Sequence, residues 1–209
     1  MYIPPAFNEE RLDVQHALIR AHPLGLLITS ADDELLASPL PFHLAAETSP
    51  LGTLQGHLAR GNTHWTSLDG RDALVVFQGV ESYISPSWYE SKREHGKVVP
   101  TWNYAMVQVR GRVRVIDDPE WIRGQIGRLT NDHEGPRTDP WHVTDAPATF
   151  VDAQIKGIVG LEITIRHIEG KWKVSQNRPP ADRATVATRL EHEGKPTMAS
   201  LVKRYGAID

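Results

Sequence analysis

The sequence has no cysteine among its 209 residues, which excludes disulfide bonds, thiolate metal sites and cysteine nucleophiles. It also has no apolar run near the roughly 18 residues of a membrane-spanning helix. No signal peptide is visible in the first residues, MYIPPAFNEERLD, because a basic region followed by an apolar core is missing. We therefore expect a cytoplasmic protein without a membrane partner.

An excess of positive charge is missing as well, since 23 Lys and Arg oppose 26 Asp and Glu, giving a net charge of -3. Nucleic-acid-binding domains are usually strongly basic. Two helices predicted on either side of Gly194-Lys195-Pro196 could form a helix–turn–helix, but residues 182–209 contain five basic and four acidic side chains. A packing face or a dimer contact explains their apolar spacing more simply, at Val186, Leu190, Leu201 and Val202.

Metal-binding and nucleophile motifs are also absent. Ten histidines occur, but none forms H-E-x-x-H or a close pair with a carboxylate at ligand spacing. His57 and His64 lie seven positions apart across a predicted strand–helix junction, so hydrogen-bonded histidines are favoured over a zinc site. There is no G-x-S-x-G motif, and Ser85-Pro86-Ser87 is typical of a turn. We assign no catalytic residue and no metal.

Strand patterns dominate the middle of the chain. Apolar residues alternate with Gln and Arg over 107–115, which predicts a half-buried antiparallel strand. Pro39 and Pro41 interrupt the strand predicted over 35–44 and indicate an edge, a bulge or a strand end beside a cavity. Glu169-Gly170 is a candidate hairpin turn. Helices are predicted over 8–22, 119–129, 147–155, 181–193 and 197–205. No strand–helix–strand series repeats, so the class is α+β and mainly β: an antiparallel barrel with peripheral helices and a C-terminal helical pair.

Two segments suggest a ligand site. The first, Ala59-Arg60-Gly61-Asn62-Thr63-His64-Trp65, begins a short predicted helix with small and polar residues that suit a phosphate. The second, Pro100-Thr101-Trp102-Asn103-Tyr104, places two rings and an amide at the mouth of the long strand. The mixture suits a flat heteroaromatic ligand, but spacing alone leaves core packing equally open.

Several long blocks then resemble the PaiB family, in the order expected for that family. They are GHLARGNTHW at 56–65, VFQG at 76–79, YISPSWY at 83–89, VPTWNY at 99–104, IVGLEI at 158–163 and GKWKVSQNR at 170–178. The resemblance implies an FMN-binding negative transcriptional regulator with the split β-barrel of pyridoxamine-phosphate-oxidase-like flavoproteins. It further implies a homodimer that binds two FMN at the subunit interface. Residues 1–180 would form the barrel, and 181–209 a helical extension packed on the same domain.

The resemblance also implies a layout for the cofactor. It places the FMN phosphate at His57, Ala59, Arg60 and Asn62, and the ring beside the strand that carries Ser38 and Leu40. The partner subunit would contribute from Thr101, Trp102 and Asn103, or from 175–178, which includes Gln176. Flavin oxidases of this fold surround the phosphate with several cations, whereas here Arg60 is the main one. We therefore expect non-covalent and weakly held FMN.

Three functional hypotheses remain open at this point. The first is an FMN-binding PaiB-type regulator whose effect on transcription is indirect. The second is a flavin-dependent oxidoreductase on the same barrel, with His57, Tyr104 and Arg178 as residues to mutate, or a haem-binding variant with His57 or His64 as the ligand. The third is a repressor that binds DNA directly, with binding that weakens steeply as salt rises.

Overall fold

The computed structural model describes residues 1–31 and 34–208. The strands are Asn8–Glu9 (β1), Leu24–Ala31 (β2), Glu34–Pro41 (β3), His43–Ala45 (β4), Thr53–Ala59 (β5), Asp72–Ile84 (β6), Thr101–Ile116 (β7) and Ile158–Lys173 (β8). The α-helices are Leu12–Ala21 (α1), Ser91–His95 (α2), Pro119–Glu134 (α3), Ala148–Lys156 (α4), Pro180–His192 (α5) and Pro196–Gly206 (α6). A 3₁₀ helix, Thr63–Ser67, follows β5.

The strands form one sheet in the order β3-β2-β6-β7-β8-β5-β4, and β1 pairs with β8. The pairs of β2 with β3 and β6, and of β5 with β4 and β8, are antiparallel. β3 is at the end of this order, so an edge strand is the one of the three predicted alternatives that is observed, although the strand predicted over 35–44 ends at Pro41. An edge tolerates Pro39 and Pro41 because a proline has no N–H to donate to a neighbouring strand.

The alternation predicted for the long strand is confirmed. In β7 the side chains of Val107, Val109 and Val113 are buried, whereas those of Arg110 and Arg112 are exposed. The strand begins at Thr101, six residues before the alternating run. Thr101-Trp102-Asn103 therefore belongs to regular strand structure, and its side chains alternate between the two faces of the sheet.

Two sequence predictions about local structure are wrong. No hairpin turn occurs at Glu169-Gly170, because Gly170 pairs with Glu9 of β1 and β8 continues to Lys173. The first helix does not begin after Asn8, because Asn8 and Glu9 form β1 and α1 begins at Leu12. The Glu9 carboxylate accepts from the backbone N–H and the guanidinium of Arg11, at 3.0 and 2.8 Å to Oε1, which fixes the bend between the two elements.

The chain divides into two compact units. The first comprises Met1–Arg11, Gln78–Val107 and Glu169–Asp209, and the second comprises Leu12–Phe77 and Gln108–Ile168. In the first unit, α5 and α6 pack on the apolar side chains of Ile84, Tyr89 and Val174. The predicted packing face is confirmed, since Val186, Leu190 and Val202 are fully buried in this cluster and Leu201 packs against it.

The second unit has an apolar core around Phe42 and Phe77, whose rings meet edge to face with centroids 5.8 Å apart. Leu27, Leu54 and Leu161 are fully buried in the same unit. A smaller cluster joins α3 and α4 through Ile122, Val151 and Ile155. Within residues 1–31 and 34–208, no helix combines the length and the apolar character needed to cross a membrane.

Candidate functional site

The segment after β5 is organised by Asn62, the residue that caps the 3₁₀ helix. Its side-chain oxygen accepts from the backbone N–H of His64 at 3.1 Å. Its amide nitrogen donates to the hydroxyl of Ser38 on β3 at 3.3 Å. The structure therefore joins two of the predicted site residues, Ser38 and Asn62, although 24 positions separate them in the sequence. Leu40, two residues beyond Ser38 on β3, is buried.

A buried histidine completes this arrangement. The two ring nitrogens of His64 lie 2.9 Å from the Ser38 hydroxyl and 2.7 Å from that of Thr29 on β2. All three side chains are buried. Burial lowers the pKa of His64, so the ring is neutral at pH 7 and carries a single N–H. Both nitrogens are engaged, so His64 could ligate a haem iron only by giving up one of these bonds.

Arg60 is held by several partners within the second unit. Its guanidinium forms an ion pair with Asp117, with Nη2 2.5 Å from Oδ1. It also donates to the carbonyl oxygens of Lys156 and Ile158, at 3.1 and 3.2 Å. The hydrogen bond from Arg60, and then its charge, lower the pKa of Asp117. The predicted phosphate-binding cation is thus already paired with a carboxylate.

His57 lies on β5 and is half-buried. Its Nδ1 donates to Oε1 of Gln125 on α3 at 2.8 Å, because an amide oxygen can only accept. The second ring nitrogen of His57, Nε2, takes no part in this bond. Ala59 ends the strand with its side chain exposed.

The remaining predicted site residues lie in the first unit, around the start of β7. The Trp102 side chain is 52% exposed, and the ring of Tyr83, 44% exposed, meets it edge to face with centroids 6.0 Å apart. Asn103 is only 1% exposed and exchanges hydrogen bonds with the Ser175 hydroxyl at 2.9 and 3.2 Å. Trp102 and Asn103 therefore point to opposite faces of β7, one towards solvent and one into the unit.

Gln176 and Lys173 flank the end of β8. Gln176 accepts from the backbone N–H of Val174 at 2.7 Å and donates to the carbonyl oxygen of Trp172. Lys173 donates through Nζ to the hydroxyl of Thr101 and the carbonyl oxygen of Trp102, both at 2.5 Å. Sequence reasoning missed Lys173. The signal was its place in the GKWKVSQNR block, two positions after Lys171 on the same strand.

The structure thus gathers the predicted residues into two sets. Six belong to the second unit (Ser38, Leu40, His57, Ala59, Arg60 and Asn62), and four belong to the first (Thr101, Trp102, Asn103 and Gln176). Over the part of the chain that the structure describes, no group of three or more His, Cys, Asp or Glu could hold a metal ion.

Comparisons with known proteins define the class: an FMN-binding, PaiB-like protein built on the antiparallel split β-barrel. The chain belongs to the family described as "Putative FMN-binding domain", which matches residues 1–167. The match includes every predicted site residue except Gln176. The resemblance to the PaiB family read from the sequence blocks is confirmed.

Relatives match along most or all of the chain. The chain is 29% identical to "Protease synthase and sporulation protein PAI 2" of Bacillus subtilis over 97% of this chain and 95% of that protein. It is 34% identical to an uncharacterized protein of Emericella nidulans over 100% of this chain and 98% of the relative. It is 35% identical to an uncharacterized protein of Saccharomyces cerevisiae over 72% of this chain and 100% of the relative.

Solved structures show the same fold at low sequence identity. The FAD and haem binding protein from Mycobacterium smegmatis has a TM-score of 0.60 and 16% identity, over 79% of this chain and 73% of that one. A conserved hypothetical protein from Mycobacterium tuberculosis has a TM-score of 0.59 and 12% identity, over 86% of this chain and 94% of that one. The predicted split barrel is therefore confirmed.

Proposed function

We propose that this protein is a cytoplasmic, homodimeric FMN-binding protein of the PaiB type, whose effect on transcription is indirect. In this proposal residues 1–180 bind the flavin and residues 181–209 form a helical extension. Family membership supports the cofactor, and the Bacillus relative, named for protease synthesis and sporulation, supports a regulatory role. Two features of α5 and α6 support an indirect effect. Their apolar face is buried in the first unit, and the pair is nearly neutral, whereas DNA is strongly anionic and attracts positively charged proteins.

One observation carries the proposal: a half-exposed indole stands on a regular strand beside fixed polar groups. The Trp102 ring is flanked by Tyr83, and the Lys173 ammonium binds the backbone carbonyl oxygen of Trp102. An apolar ring face beside the Thr101 hydroxyl fits isoalloxazine, which is flat and has acceptors along one edge. When bound, FMN supplies electron-transfer chemistry, while the protein contributes binding and orientation.

The side chains of the predicted phosphate site in the second unit suit a phosphate only in part. Asn62 is bonded to Ser38 and His64, the Nδ1–H of His57 is bonded to Gln125, and Ala59 is exposed at the end of β5. Arg60 is paired with Asp117, so its charge is partly cancelled. A phosphate there depends on neutral groups and the backbone, which supports weak and reversible FMN binding.

Replacement of Trp102 tests this assignment. We expect Trp102→Ala to weaken FMN binding by roughly tenfold or more, because ring stacking contributes about 1–3 kcal/mol. The quenching of FMN fluorescence during a titration measures the affinity, and circular dichroism checks the fold. Trp141→Ala removes an indole of similar exposure, 47%, in the second unit and should leave the affinity unchanged.

A conservative variant distinguishes the loss of a flavin contact from misfolding. Trp102→Phe keeps an aromatic face and should retain most of the FMN affinity. A folded Trp102→Ala protein that binds FMN as tightly as the wild type would contradict the assignment.

A further inference from the structure

Three cationic side chains lie together near the end of β8 in the first unit. Lys171, Lys173 and Arg178 are all half-buried. Lys171 and Arg178 each lie near an aromatic ring: the Lys171 ammonium is 5.4 Å from the centroid of Tyr104, and the Arg178 guanidinium is 4.5 Å from that of Tyr89. Burial, and then the charges of Lys171 and Arg178, lower the pKa of Lys173. Lys173 thus lies close enough to Lys171 and to Arg178 for their charges to repel its own.

The bonds of the Lys173 ammonium leave it suited to an anion. It has three N–H groups, and two of them bind neutral oxygens, the Thr101 hydroxyl and the Trp102 carbonyl. In the described residues no carboxylate is paired with it. The charged form of a partly buried ammonium beside two other cations is unfavourable without a counter-charge. A bound anion would supply that counter-charge and stabilise the ammonium.

Acidic groups of the same unit are engaged elsewhere. Asp182 is buried and accepts from the backbone N–H and hydroxyl of Ser91, at 2.9 and 2.7 Å. Glu169 forms an ion pair with the amino terminus at 3.0 Å. Asp182 is thus satisfied by Ser91, and among the described residues Lys173 has no carboxylate partner.

We infer that Lys171, Lys173 and Arg178 form an anion site that receives the phosphate group of a nucleotide-type ligand. Thr101 and Trp102 border this site, and to that extent the inference rests on the proposed function. Two sources share the chemistry: the phosphate of FMN itself, or a phosphate of a second nucleotide that binds beside the flavin. Arg60 is paired with Asp117, whereas Lys173 has no carboxylate partner among the described residues, so this cluster is the stronger candidate for phosphate recognition.

Pyrophosphate is the probe that tests the site without flavin. Calorimetric titration of the full-length, flavin-free protein at constant ionic strength should show millimolar or tighter binding. Lys173→Met should weaken that binding by roughly tenfold, since a charge-assisted hydrogen bond is lost. Lys173→Arg should retain most of it. Lys97→Met, which removes an exposed lysine of the same unit, should bind like the wild type.

Two results overturn the inference: wild-type protein that does not bind 10 mM pyrophosphate (about ten times the weakest expected Kd), or a folded Lys173→Met variant that binds it as the wild type does. Competition identifies the source. If pyrophosphate displaces FMN but not riboflavin, the site holds the flavin phosphate; if it displaces neither, the site serves a second nucleotide. Pyrophosphate binding in a protein that does not bind FMN would support the anion site while refuting the proposed function.

Discussion

The Glu9 carboxylate connects two parts of the first unit that are far apart in the sequence. Its carboxylate accepts from the Arg11 guanidinium and from the hydroxyl of Tyr205, each at 2.5 Å to Oε2. Burial opposes the charged form, but the hydrogen bonds from Arg11 and Tyr205 and the charge of Arg11 outweigh it and lower the pKa to about 2 from its usual 4.5. This carboxylate therefore stabilises the folded state only while it is ionised.

The pH dependence of stability follows from this lowered pKa. A carboxyl group with a depressed folded-state pKa contributes stability above its unfolded value, and the contribution is lost as pH falls from about 4.5 through about 2. We expect Glu9→Gln to lower the free energy of unfolding by about 1–3 kcal/mol at pH 7, and by progressively less as the pH falls from 4.5 to 2. Urea denaturation at several pH values measures this difference. Glu10→Gln, an exposed neighbour, should have little effect, and a pH-independent loss for Glu9→Gln would contradict the account.

At the residue scale, the sequence predicted which kinds of side chain the site contains better than it predicted which residues those side chains contact. The motif blocks predicted Trp102 as a ligand-facing ring, and the ring is exposed. They also favoured Arg60 as the phosphate cation, but Asp117 lies 57 positions away and no local pattern shows that the two meet. Lys173 was missed because its burial and its cationic neighbours arise only when the strand is folded.

Among the elements, β7 depends on a glycine at its centre. A β-carbon added to Gly111 would lie 2.3 Å from the carbonyl oxygen of Thr164 and 2.7 Å from a methyl group of Ile163. Backbone atoms cannot move aside as a flexible side chain can. The two segments therefore approach each other more closely than any larger residue at position 111 would allow.

We expect Gly111→Ala to destabilise the protein by about 1–3 kcal/mol, the range for overpacking in a close-packed interior. Gly127→Ala, on α3, is the matched control. Apart from the backbone of its own helix turn and its chain neighbours, a β-carbon added there meets no atom within 4 Å. That change should stabilise by up to about 1 kcal/mol, since alanine is the better helix former. Chemical denaturation compares the two. Equal stability of Gly111→Ala and the wild type would show that the contact relaxes without cost.

How well an element could be predicted depended on whether its signal was local. The alternation in β7 and the proline pair in β3 are local, and both predicted the observed structure. The Glu169-Gly170 pair has the local chemistry of a turn, but its pairing with β1, about 160 residues earlier, keeps the strand straight. Non-local pairing outweighs a weak turn preference in this case.

At the scale of the whole molecule, the family match includes every predicted site residue except Gln176. The match covers residues 1–167, and the predicted cofactor residues are distributed over both compact units. The fold class followed from the order of strand and helix patterns, because no helical crossovers alternate with the strands. The pairing of β8 with both β1 and β5 could not be predicted, since strand order depends on contacts across the full length of the chain.

FMN titration of the purified protein, with mass measured by sedimentation, tests the central claim most directly. We predict one FMN per chain on a dimer, a shifted flavin spectrum, and an affinity that weakens when the protein is diluted below its dimer dissociation constant, because in the proposed dimer both chains contribute to each site. Loss of binding after Trp102→Ala would accompany this result. No change in the flavin spectrum at high micromolar FMN would contradict the account.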